Sequence, residues 1–205
     1  IEEDLGGLLD AKEPAGEPLP VEQLEPGAAW ILDITQLGNR ARRYLFYLLL
    51  RRIGRLLQER KAGLQERHTF PGRVIVIVDE LNRFAPGGST RHPTRAEIAH
   101  LASQGRSYGL TLIGLQQMAS RIDDEVLTNT GTFVVGRAHP SELSGSAYGW
   151  MTRALKEQVA GLPPGVMLVY HPLWRQPVFL RFPLPPHRLS ERASETALIS
   201  DGGGA

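Results

Sequence analysis

The chain has 205 residues, with 23 Lys and Arg against 22 Asp and Glu, six His and no Cys. That length supports one substantial core with tails, and the near-neutral balance means that global charge does not announce a nucleic-acid binder. The missing cysteines exclude disulfides and thiolate metal sites. No apolar run approaches the ~20 residues of a membrane span and no signal-peptide pattern opens the chain, so the expectation is a cytoplasmic protein with no membrane association.

Residues 1–20 carry six acidic residues, three glycines and three prolines. No apolar periodicity survives there, and residues 1–25 read as an acidic linker or the end of an upstream segment. The first residue is Ile1, not Met, which suggests an excised piece of a longer protein. After the turn signal Pro26-Gly27, residues 28–34 are mostly apolar and predict a strand. Asp33, near its end, could be a site residue or could cap the following turn.

From Asn39 to Lys61 the spacing is helical: Leu45, Leu48, Leu49, Ile53, Leu56 and Leu57 form one stripe, and Gly63 is a stop. The remaining surface is basic, from Arg40, Arg42 and Arg43 to Arg60 and Lys61. A basic face can touch phosphates, although a solvated face is the simpler reading. Val74-Ile75-Val76-Ile77-Val78 is an unbroken β-branched run, which predicts a strand buried on both faces. Asp79 and Glu80 follow at once.

Asn82 to Pro93 reads as a loop, with Gly87-Gly88 suggesting mobility. Thr94-Arg95-Ala96-Glu97 fits a capping box opening a helix that runs to Tyr108, with Gly109 beyond its end. Leu110 to Leu115 predicts a third buried strand, ending in Gln116-Gln117, and Asp123 to Thr128 a short helix. Thr132 to Gly136 predicts a further strand, Pro140 to Gln158 helix in one or two pieces, and Val166–Tyr170 with Val178–Phe182 a closing hairpin. Residues 184–205 read as a flexible Pro- and Gly-rich tail. Strands alternating with helices give an α/β fold with a mainly parallel sheet.

Two carboxylates leaving a buried strand at its carboxyl end suit nucleotide hydrolysis. Asp79 would hold Mg²⁺ through water, and Glu80 would polarise the attacking water. Gln116, if its strand is the neighbour, could touch a phosphate or that water; alone it is as easily a turn residue. Arg106, late in its helix, could reach phosphate across a subunit boundary, but a surface arginine favoured by the helix dipole is the simpler account. His68, His92, His100, His139, His171 and His187 are too dispersed to suggest a metal cluster, and no Ser–His–Asp arrangement is evident.

The order of the pieces says more than any one of them. The run Val74 to Pro86, the segment Gln104-Gly105-Arg106-Ser107-Tyr108-Gly109-Leu110 and the segment Leu115 to Asp123 together resemble the HerA–FtsK group of P-loop ATPases, closest to the HerA-type DNA translocases. The similarity covers about residues 26–183, through Leu162-Pro163-Pro164-Gly165 and the strand after it. It implies a RecA-like core, with helices on both faces of the sheet. By this resemblance Asp79 is the Walker B aspartate on Mg²⁺ and ATP, Glu80 the catalytic glutamate, Gln116 the polar sensor, and Arg106 the arginine acting on a neighbouring subunit's nucleotide. It further implies a homo-hexamer pumping duplex DNA, a helicase in DNA end processing, often beside a NurA-type nuclease.

The sequence departs from the family at Asn82, where His is common, and at Gln117-Met118-Ala119, which replaces an Arg-Pro step. More seriously, no G-x-x-x-x-G-K-[ST] occurs, and Lys12, Lys61 and Lys156 follow no Gly-rich loop. Without those amides and that Lys the β- and γ-phosphates have no cradle. The reading is therefore the C-terminal part of an ATPase core, weak or silent on its own. Two alternatives stand beside it: a non-catalytic module docking on an intact ATPase or nuclease, and a Mg²⁺-dependent nuclease using Asp33, Asp79, Glu80 and Asp123.

Overall fold

Residues 39–61 are dominated by Leu and Arg, which lose little on entering a helix. They form α1, Asn39–Lys61, with the predicted limits. Its end is a Schellman motif: Gly63 takes φ 71°, its N–H donates to the Arg60 carbonyl at 3.0 Å, and the Leu64 N–H donates to Glu59 at 3.0 Å. The computed structural model describes residues 20–64, 70–88 and 93–183. His68, His92, His187, both predicted tails up to residue 19 and from 184, and the tip of the 82–93 loop lie outside them.

The chain divides into two units, Ile1–Thr130 and Gly131–Ala205. In the first, β1 (Val74–Val78) and β2 (Leu110–Gly114) pair in parallel, Val74 opposite Leu110 and Val78 opposite Gly114. The crossover between them is α2, Pro93–Tyr108, the short-range logic of a βαβ unit. One core cluster joins Phe46, Leu50, Ile53 and Leu57 of α1, Ile98 and Leu101 of α2, and Val74, Val78 and Leu110 of the strands. The buried face of α1 runs through Phe46 and Leu50, while Leu48 of the predicted stripe is 43% exposed. Gly54 faces Leu101 and Tyr108 of α2 across this contact, where a Cβ would meet both at an ordinary 3.9 Å. Burial in this contact pushes the Tyr108 hydroxyl's pKa upward.

Three expectations are corrected. First, β1 and β2 are not buried on both faces: Ile75 is 62% and Ile77 67% exposed, and Ile113 is exposed beside them. Among the described residues the helices pack on the side of Val74 and Val78, so helices on both faces of the sheet are not observed. A β-branched run reports strand propensity, and it takes a second packed layer to bury both faces. Second, the predicted strand at 28–34 is irregular. A strand exists through its ladder, and this segment instead borders, with α1 and β1, a cavity of about 1050 Å³. Third, Thr94 does not precede α2 as the capping box predicts. It lies within α2, buried, and its hydroxyl donates to the Arg43 carbonyl of α1 at 3.1 Å.

The second unit carries the other sheet, β3 (Phe133–Val135), β4 (Val166–Tyr170) and β5 (Val178–Arg181), antiparallel in that order. The predicted hairpin is therefore present, but the mainly parallel single sheet is replaced by one parallel pair and one antiparallel trio. After α3 (Asp124–Thr128) of the first unit, α4 (Pro140–Leu143) starts at His139, whose ring accepts from the Ser141 N–H at 3.2 Å. Thr152 caps α5, Arg153–Ala160, accepting from the Leu155 N–H at 3.3 Å. Trp150 stacks on Tyr170 at 4.6 Å, next to Phe133, and Leu143, Val159 and Leu168 of the same unit are fully buried. No described helix is long and apolar enough to cross a membrane.

Candidate active site: carboxylates at the carboxyl end of β1

The β1–β2 ladder continues past both strands. Leu115 donates to the Val78 carbonyl at 2.8 Å, and Leu81 donates back to the Leu115 carbonyl at 3.2 Å. The alternation brings the turn Asp79-Glu80 beside the segment Leu115-Gln116, at the sheet edge where open α/β folds bind ligands. Asp79, Glu80 and Gln116 are thus brought together as predicted from their strand ends.

The turn itself is strained. Glu80 has φ 52° and ψ 52°, the sole non-glycine with positive φ among the described residues, a conformation that costs on the order of 1 kcal/mol or more and clusters at functional sites. One Asp79 carboxylate oxygen accepts the Glu80 N–H at 2.9 Å, stabilising the bend. The chain then enters a 3₁₀ turn, Leu81–Arg83, whose Leu81 fits against Gly114: a Cβ at 114 would lie 2.4 Å from the Leu81 side chain. The Glu80 carboxylate pairs with the Arg83 guanidinium. Gln116 holds its side-chain oxygen buried with no hydrogen-bond partner among the described residues, as do the Arg42 Nε and Trp150 Nε1 donors, which leaves it an acceptor open to a water or a ligand group.

Arg106 is exposed in the last turn of α2, with no polar partner among the described residues. Because α2 leads into the start of β2, Arg106 lies at the opposite end of the strand from Asp79, roughly 16 Å away along five residues. Within one chain it does not join the carboxylates.

The other carboxylates have structural work. Asp33 accepts both the hydroxyl (2.6 Å) and the N–H (2.9 Å) of Thr35, which hold its carboxyl below the usual range. Asp123 is 2% exposed, caps α3 (Asp124–Thr128) through the Glu125 N–H at 3.1 Å, and pairs with Arg95 at 2.5 Å. No three His, Cys, Asp or Glu among the described residues could share a metal ion, so the four carboxylates of the nuclease alternative do not converge. Asp123→Ala is expected to cost about 2–4 kcal/mol, because it leaves a guanidinium unpaired and a helix uncapped; urea unfolding measures it, and a cost near zero would return Asp123 to the pool of free ligands.

Two further features escaped the sequence. The first half of the 82–93 loop is pinned rather than loose: Gly87 donates to the Arg121 carbonyl at 2.9 Å, Asp123 to Ala85 at 3.1 Å, and Pro86 bridges Ile122. The basic face of α1 is largely engaged within the chain: Arg43 donates to the Arg83 carbonyl at 2.8 Å, Lys61 to Ser107 at 2.6 Å, Arg42 to Thr35, and Arg52 pairs with Glu22. These cations tie neighbouring segments to the helix. The Glu80–Arg83 pair was readable as an i,i+3 spacing.

No family model matches the chain, and no curated protein does. Solved structures do, among them the genome packaging NTPase B204 from Sulfolobus turreted icosahedral virus 2. Its complex with AMPPCP is 19% identical with a TM-score of 0.53, over 70% of this chain and 63% of that one. Its complex with AMP gives 17% and 0.47 over 64% and 62%, and its complex with ATP-gammaS 18% and 0.45 over 55% and 54%. The chain thus spans between about half and two thirds of that protein's length, and at such identity the AMPPCP complex establishes a shared fold over the aligned part.

Proposed function

We propose that this chain is the hydrolytic part of an ATP-driven DNA motor subunit. The observation that carries the reading is the meeting of Asp79 and Glu80 at the end of β1 with the orphan oxygen of Gln116 at the end of β2. The shared fold with a packaging NTPase solved with nucleotide analogues supports it. The finer reading is a HerA-type translocase or helicase acting on duplex DNA in end processing, with a NurA-type nuclease as partner.

The residues suit the chemistry of phosphoryl transfer, which asks for position and charge more than for covalent steps. Asp79 and ATP phosphates would hold Mg²⁺, which when bound neutralises phosphate charge. Glu80 would accept a hydrogen bond from a water and so orient the water's lone pair toward phosphorus. Gln116 supplies a neutral donor and acceptor next to it. Arg106, set at the far end of β2, serves a second copy's site, which makes a ring such as a homo-hexamer the working form. Residues 26–183 act as the C-terminal part of the RecA-like core.

The sequence contains no phosphate loop, so the 205-residue chain alone is expected to hydrolyse Mg-ATP at no more than background, with or without duplex DNA. A polypeptide presenting the same residues behind a phosphate loop is expected to turn over ATP and to be stimulated by duplex DNA. Phosphate-release assays check both. Robust turnover by the chain alone, or none by the longer polypeptide, would overturn the assignment.

A further inference from the structure

We propose that Arg83 is a positioning residue that holds Glu80 in a resting orientation, away from its water. The inference rests on the reading of Glu80 as the water-activating carboxylate, and it concerns how that site is kept silent. Four observations carry it. The Arg83 guanidinium sits on a Glu80 carboxylate oxygen, the group that must accept a hydrogen bond from water. The pairing is enforced locally, since Glu80 is in the left-handed region and the Arg83 N–H donates to the Glu80 carbonyl at 2.8 Å, closing the turn that puts the side chains together. The turn is fixed from outside: Arg43 of α1 donates to the Arg83 carbonyl, and Thr94 of α2 donates to the Arg43 carbonyl. Arg83 also lines the same 1050 Å³ cavity as Asp79 and Glu80.

Both side chains are about half exposed, at 53% and 42%. An ion pair of that exposure is weak and exchanges readily, so it can restrain without trapping. An incoming anion that takes the guanidinium frees the carboxylate, and a phosphate-bearing ligand in this cavity is such an anion. The contacts through Arg43 and Thr94 give α1 and α2 a hold on the same turn.

The restraint is measurable in the 205-residue chain without turnover. Carbodiimide coupling to glycine ethyl ester, read by peptide mass spectrometry, reports how accessible each carboxylate is, with exposed Glu125 as the internal reference. Arg83→Gln is expected to raise Glu80 modification about threefold or more, and Arg83→Lys, which keeps the cation, to stay within about twofold of the parent. Arg83→Met, which keeps the aliphatic stem, repeats the Gln result should that variant fold poorly. Equal Glu80 rates in all four chains would overturn the restraint. In a polypeptide with a phosphate loop, Arg83→Gln is expected to raise basal ATP turnover about twofold or more; unchanged or lower turnover would also overturn it. Turnover that survives Glu80→Gln would instead sink the site assignment while leaving the labelling result in place.

Discussion

Glu80→Gln is expected to abolish ATP turnover while sparing nucleotide binding, with a loss of about 10²–10⁴-fold, the range for removing a positioned general base. The measurement belongs in a polypeptide that carries this chain behind a phosphate loop, with phosphate release and fluorescent-nucleotide titration side by side. The amide keeps the shape of the carboxylate and its place in the left-handed turn, so a loss cannot be laid to refolding of the loop. What it removes is the negative oxygen that takes the water's hydrogen bond, together with the ion pair to Arg83. Asp79→Ala is the complementary change: it deletes both the proposed Mg²⁺ ligand and the acceptor of the Glu80 N–H, so it should weaken Mg-dependent binding as well as turnover. Turnover retained in Glu80→Gln would remove Glu80 from its role.

Gly109→Ala is expected to destabilise the first unit by about 3–4 kcal/mol. Gly109 has φ 97°, and a Cβ there would stand 2.3 Å from the Gly72 carbonyl oxygen, a backbone atom with no rotamer to yield. The same residue's carbonyl accepts the Val74 N–H at 3.0 Å, so relief of the clash pulls apart the first rung between β1 and β2. The parallel pair would loosen at its start, away from Asp79. Urea unfolding followed by circular dichroism checks this, and a cost below about 1 kcal/mol would show that the loop before β1 relaxes freely.

Much of the fold was legible because it is locally determined. The helix Asn39–Lys61 declares itself by an apolar stripe and a terminal glycine, and the short helix predicted from Asp123 is present, with Asp123 as its cap instead of its first residue. The meeting of Asp79, Glu80 and Gln116 was legible for the same reason: they are strand-end residues, and parallel neighbours bring strand ends together. What was not legible depends on partners distant in sequence. Residues 28–34 have the composition of a strand but no ladder, and Thr94 has the spacing of a capping box but finds the Arg43 carbonyl of another helix. The burial of Ile75 and Ile77 could not be judged from a run that looks the same whether one face is covered or two.

The uncovered isoleucines of β1 have a practical consequence. They lie on a two-stranded sheet with both outer edges unpaired among the described residues, the combination that invites lateral association. Salts such as sulfate, which strengthen apolar contacts, work on a folded surface like this one before they affect the core. Handling conditions for the chain therefore call for low salting-out strength and dilution, and association through these faces is expected to scatter light while the helical signal is retained.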